Sequence, residues 1–151
     1  MDNFDLDERL YREEIILAPI EKRISAHIID DFILSILLFI IISDTISSSS
    51  NIEEVIIFIN SLVVEFMVIK LLYHWIFTFL YGGSIGKILM KIRVIDVRDF
   101  SDISLISSFN RSFIRLFSEA IFYLGFLWAF FDTYKQGWHD KIAKTIVIYD
   151  K

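Results

Sequence analysis

Ionisable side chains stand inside and beside the longest apolar runs of this chain, and they do so at helical spacing. Arg23, His27 and Asp30 lie four and then three residues apart, so a helix turning about 100° per residue gathers them on one stripe that Leu34 continues. Asp31 sits to the side of that stripe. Further along, Lys70 and His74 share a face with Phe77 and Tyr81, while Glu65 points elsewhere. Arg111, Arg115 and Glu119 form a third i, i+4, i+8 stripe. A charge near the middle of a bilayer costs roughly 2.5 to 3.5 kcal/mol. Such residues therefore face one another, and an intramembrane carboxylate marks either a fastening between helices or a group that exchanges a proton. Both roles are open for Asp30. Paired with Arg111 or Arg115 it would hold helices together. Flanked by Asp31 and His27 it would titrate, because burial raises a carboxyl's proton affinity in general and a nearby guanidinium lowers it. The cluster comprises His27, Asp31, Glu65, Lys70, His74, Arg111, Arg115 and Glu119 around Asp30.

Other chemistries are poorly served. The chain has no Cys, which removes thiolate ligands, cysteine nucleophiles and disulfides. Its three His are scattered without a His-x-x-x-His spacing, so no metal and no cofactor is expected. The Gly82-Gly83-Ser84-Ile85-Gly86-Lys87 run fails as a phosphate loop, since Tyr81 occupies the first glycine position and Ile88 follows the lysine. No Ser, His and carboxylate set is laid out for hydrolysis, and the chain is not expected to be an enzyme. A net charge of -5 gives no argument for nucleic acid, and none is expected as a partner.

The elements that carry these residues are apolar. The sequence is 55% hydrophobic over 151 residues, with a mean hydropathy of +0.56, which places it among polytopic membrane proteins. An all-α membrane fold is expected, with a small two-stranded β element on the cytoplasmic side. A first span runs from about Ile24 to about Ile46, and its uninterrupted part, 32–42, is shorter than the roughly 20 residues a crossing needs. Asp30 and Asp31 must then lie in the span or at its boundary. A second span covers Val55 to Tyr81, with His74 at the depth of Asp30, so the two spans should touch there. Gly82, Gly83 and Gly86 form a turn, and Ile92 to Val97 reads as a strand. The third hydrophobic segment, Phe109 to Phe131, is either a pair of half-helices bent near Gly125 or a third crossing. Thr145 to Tyr149 reads as a second strand. Residues 1–22 form an acidic cytoplasmic tail without the features of a secretory signal, in which 6–16 is either a short helix or solvated chain. Residues 23–151 form the transmembrane domain.

Lys22 and Arg23 precede the first span, Lys87, Lys91, Arg93 and Arg98 follow the second, and the serine-rich turn between them has no basic residue. The excess of basic loops on the inner side puts the N-terminus and residues 82–108 in the cytoplasm. A strand at Thr145 to Tyr149 needs a partner, and Ile92 to Val97 is the good candidate, which favours the half-helix pair over a third crossing.

Three pieces in order resemble the RDD family of small bacterial membrane proteins, whose name refers to one arginine and two aspartates. They are Arg23, Ala26 and Ile29-Asp30; Gly82 to Lys87 with Arg93-Val94-Ile95-Asp96; and His139-Asp140, Ala143 and Thr145. The resemblance makes Arg23, Asp30 and Asp140 the defining residues, and it implies a multi-pass protein of the bacterial inner membrane. It also implies a role in transport, with a proton or sodium ion as ligand. The size of the chain adds that a pathway would need a homo-oligomer or a larger membrane partner. The alternative is an accessory or assembly subunit of a membrane complex.

Overall fold

Two β-branched strands pair antiparallel at one end of the molecule, and everything polar is arranged from there. In this computed structural model, which describes residues 3–48, 51–121 and 124–150, β1 (Ile92–Asp96) runs against β2 (Thr145–Tyr149), with Val94 opposite Val147 and Ile95 opposite Ile146. Alternation sends the residues to two faces. Ile95, Ile146 and Ile148 meet Leu6 and Leu10 of helix α1 (Asn3–Arg12), while Ile92, Val94 and Val147 meet Ala18, Ile103 and Ala26. The acidic N-terminal segment is therefore docked through its leucines and is not solvated chain. Tyr134, whose position in the sequence suits a membrane interface, is buried in the same core. Residues 16–18 run along the outer edge of β2, with the Ala18 N–H donating to Val147 O at 2.9 Å, so that edge is covered.

Helix α2 (Ile20–Ser48) begins directly after Pro19, and its stretch Ile20–Ser43 is long and apolar enough to cross a membrane. The expected second span arrives in two pieces, α3 (Ile52–Ser61) and α4 (Val63–Tyr81). Leu62 between them has ψ of -6°, yet its N–H still donates to Phe58 O at 3.2 Å and its carbonyl accepts from Phe66 N–H at 2.9 Å, so the hydrogen-bond ladder runs on from one piece into the other. The 19 residues of α4 still reach about 28 Å. Gly82 caps α4 in the left-handed region at φ 69°, a conformation glycine adopts without cost, and its carbonyl accepts from Val94 N–H at 2.7 Å. The chain then turns through the short helix α5 (Ile85–Leu89) into β1.

The third hydrophobic segment is the bent pair. Helix α6 (Leu105–Ala120) is followed, after a 109° change of direction, by α7 (Leu124–Leu127) and a 3-10 turn at Trp128–Phe130. Gly125 is the second residue of α7, so the change of direction lies near it as expected. Ile103 at the start of the segment and β2 beyond helix α8 (Trp138–Ala143) pack on the same sheet, so the segment leaves and returns to one end of the α2–α4 pair.

Candidate functional site

The polar residues sort into three groups around one cavity. Asp30 is fully buried and belongs to α5, not to an arginine. It accepts from Ser84 Oγ at 2.5 Å, from Gly86 N–H at 2.8 Å and from Tyr73 Oη at 2.8 Å. Tyr73 Oη in turn accepts from Ile85 N–H at 3.1 Å. The approach of α5 to α2 depends on a missing side chain: a Cβ on Gly86 would lie 2.0 Å from Ala26 O and 2.9 Å from Asp30 Oδ1. The contact between the two spans expected near His74 is thus made one residue away, by Tyr73. The pairing of Asp30 with Arg111 or Arg115 does not occur, because neutral donors from α4 and α5 fill its oxygens.

Asp140 forms the second group. Buried on α8, it pairs with Arg111 and, at 3.5 Å, with Arg23, and it accepts from Gly137 N–H at 3.1 Å. Arg111 also donates to Thr145 Oγ1 at 2.6 Å, and Arg23 donates to the carbonyls of Lys135 and, at 3.1 Å, Val147. This joint locks α2, α6, α8 and β2. Burial alone would raise the Asp140 carboxyl, but Arg111, His139 and Arg23 outweigh it and hold it well below the usual carboxylate range. Arg23 and Asp140 therefore meet, whereas Asp30 stands apart from both.

The third group is a closed ring of alternating charge. Lys70 binds Glu119 at 2.6 Å and Asp31 at 3.2 Å, Glu119 binds Arg115 at 3.0 Å, Arg115 reaches His27 Nδ1 at 2.7 Å, and His27 lies 3.6 Å from Asp31. With the imidazole neutral the ring sums to zero, the condition under which such groups tolerate burial. Its α6 members sit on a polar stripe with Ser108, Ser112 and Ser118, while Phe109, Phe113 and Phe117 face outward.

A cavity of about 440 Å³ opens between α2, α5, α6, α7 and α8, lined by Arg23, His27, Asp30, Asp31, Lys87, Arg111, Arg115, His139 and Asp140. Two expected members of the network are elsewhere. Glu65 is exposed in the first turn of α4, where the helix dipole favours an anion, and makes no polar contact among the described residues. His74 is buried beside the ring, edge-on to Tyr73, with neither nitrogen hydrogen-bonded. Four participants are not singled out as site residues by the sequence: Tyr73, Ser84, Thr145 and Lys87. Lys87 has only its place in the glycine run to mark it, and nothing in its spacing indicates that α5 turns it inward. Among the described residues no group of three or more His, Cys, Asp or Glu is placed to hold a metal ion.

A family model described as the RDD family matches residues 17–144 of the chain. No curated protein and no solved structure matches it.

Proposed function

This chain belongs to the RDD family, and from that premise we propose that it is a small carrier, or the solute-binding subunit of one, in the inner membrane of a bacterium, with its N-terminus in the cytoplasm. The observation that carries this reading is the charge-alternating ring beside the cavity. Asp31 lines the cavity and is the most exposed member of the ring, its side chain 35% exposed, and it shares Lys70 with Glu119. A proton arriving on Asp31 would release Lys70 wholly to Glu119 and change the charge of the cavity wall. That is how a solute site and a proton site become coupled. Asp30, fastened by three neutral donors, does not take this part. No catalysis is assigned to the protein.

The competing reading, an accessory or assembly subunit, draws on the other end of the span pair. There a space of about 160 Å³ is lined only by apolar residues, Leu38, Ile42, Ile59, Leu62, Val63, Phe66 and Met67, so the polar lining stops partway along the chain. A full path would need a second copy or a larger membrane protein to complete it. Flux in proteoliposomes decides between the two. Under a pH gradient, the wild type should dissipate the gradient and Asp31→Asn should not, while both reconstitute equally. Absence of flux in the wild type under proton and sodium gradients, together with co-purification of one stoichiometric partner, would make the accessory role the better account.

A further inference from the structure

We propose that the cavity binds an oxyanion at Lys87, carried on an apolar tail that lies along the α2 and α7 walls. The proposal deepens the carrier reading by naming what its cavity takes, and rests on that reading only for any movement of the ligand.

Lys87 is 7% exposed and lines the cavity, yet it makes no hydrogen bond with a described residue and has no carboxylate oxygen of one within 4.0 Å. The nearby acids are engaged: Asp30 by Tyr73, Ser84 and Gly86, Asp140 by Arg111 and Arg23, Asp31 by Lys70. A free cation entering the cavity therefore meets no unoccupied acidic oxygen. An anion meets an unpaired ammonium backed by the guanidiniums of Arg111 and Arg115. Burial, then those two cations, push the Lys87 ammonium well below its ordinary range, a penalty that a bound anion removes. The other wall is apolar. Ile24 and Ile28 of α2 and Leu127 and Phe130 of the bent pair line the same cavity and are exposed on the outer surface, so its side opening faces the acyl region. An acidic head with a hydrocarbon tail fits both halves.

The test uses the detergent-purified full chain, with binding followed by native mass spectrometry for phosphatidylglycerol, phosphatidylcholine and inorganic phosphate. Phosphatidylglycerol should bind the wild type more tightly than phosphatidylcholine does. Lys87→Gln should weaken it by about tenfold or more, the worth of one charge-assisted hydrogen bond, and Lys87→Arg should restore it. Ile24→Trp, at an exposed position on the apolar wall of the cavity, should weaken the lipid and spare inorganic phosphate. Lys87-dependent binding of inorganic phosphate without lipid binding would support the oxyanion site and identify a free anion as its source. Equal affinity of wild type and Lys87→Gln, lipid binding with no preference over phosphatidylcholine, or no binding of either anion overturns the proposal. If Lys87→Gln does not fold, Ile24→Trp and the wild-type lipid preference decide. Binding without flux removes the carrier and keeps this site; flux without binding does the reverse.

Discussion

Two aspartates that look equivalent in the sequence are held by different physics. Asp140 is a single carboxylate shared by two guanidiniums in a buried joint, and losing it leaves Arg111 and Arg23 facing each other without an acid. Asp30 accepts from neutral hydroxyls and one amide, and an asparagine oxygen can keep part of that set. Asp140→Asn should therefore cost about 3 to 5 kcal/mol and Asp30→Asn about 1 to 3 kcal/mol, an order that thermal unfolding in detergent reads directly. His139 supplies a pH signature. Burial first, and then Arg111, Arg115 and Lys87, keep its ring neutral well below the ordinary histidine range despite Asp140 at 3.6 Å, and Phe126 packs on it at 4.7 Å. In the unfolded chain the same ring takes a proton near pH ~6.5. Protons then favour unfolding, so stability should fall as pH drops from about 7.5 to about 5.5. Asp140 adds no slope in that window, because its depressed carboxyl is ionised in both states until the pH approaches about 4. His139→Gln should flatten the melting temperature against pH relative to wild type. An unchanged slope would show that the ring is not the buried neutral base described.

At the scale of elements, the approach of α5 to α2 decides whether the site exists. Gly86→Ala puts a methyl group into the Ala26 carbonyl, and because that obstacle is backbone it cannot rotate away. Helix α5 must withdraw, taking Ser84, the Gly86 amide and Lys87 with it. The expected loss is about 3 kcal/mol, the upper end of overpacking costs, with a fall in melting temperature of several degrees. A variant that melts with the wild type would mean that α5 docks less closely than described. The strands and the Arg111–Arg115–Glu119 stripe are legible in the chain, because periodicity and β-branching report local structure, and the need of the second strand for a partner favours the bent third segment over a crossing without deciding it. Partner choice is not legible. Helix phase puts Asp30 in line with Arg23 but carries no information about α5, whose five residues reach across only because glycine lets them. Lys87 likewise reads as one more cytoplasmic charge until that tuck is seen. Glu65 shows the opposite failure, a charge inside an apolar run that belongs to a helix terminus and not to the network.

For the whole molecule the geometry fixes which surfaces share a side. Helix α1, both strands, Ile103 and α8 gather at the end of the span pair where α2 begins and α4 finishes, while α3 stands at the other end. The α6–α7 pair carries its polar stripe inward as far as Lys70, about three helical turns before the end of α4, and then folds back. A third crossing would strand β2 on the far side of the bilayer from β1, leaving the edges of both without their hydrogen-bond partners and Asp140 without Arg23. In this cysteine-free chain the arrangement can be read with single engineered thiols. Ser101→Cys and Asp150→Cys, both at exposed positions of the strand end, should react with a membrane-impermeant maleimide from the same side, and Ile52→Cys from the opposite one. The basic residues flanking the strands predict that the shared side is the cytoplasm. Labelling of Asp150→Cys together with Ile52→Cys would require the third segment to cross, and with it the sheet, the Arg23–Asp140 joint and the cavity they close would all have to be abandoned.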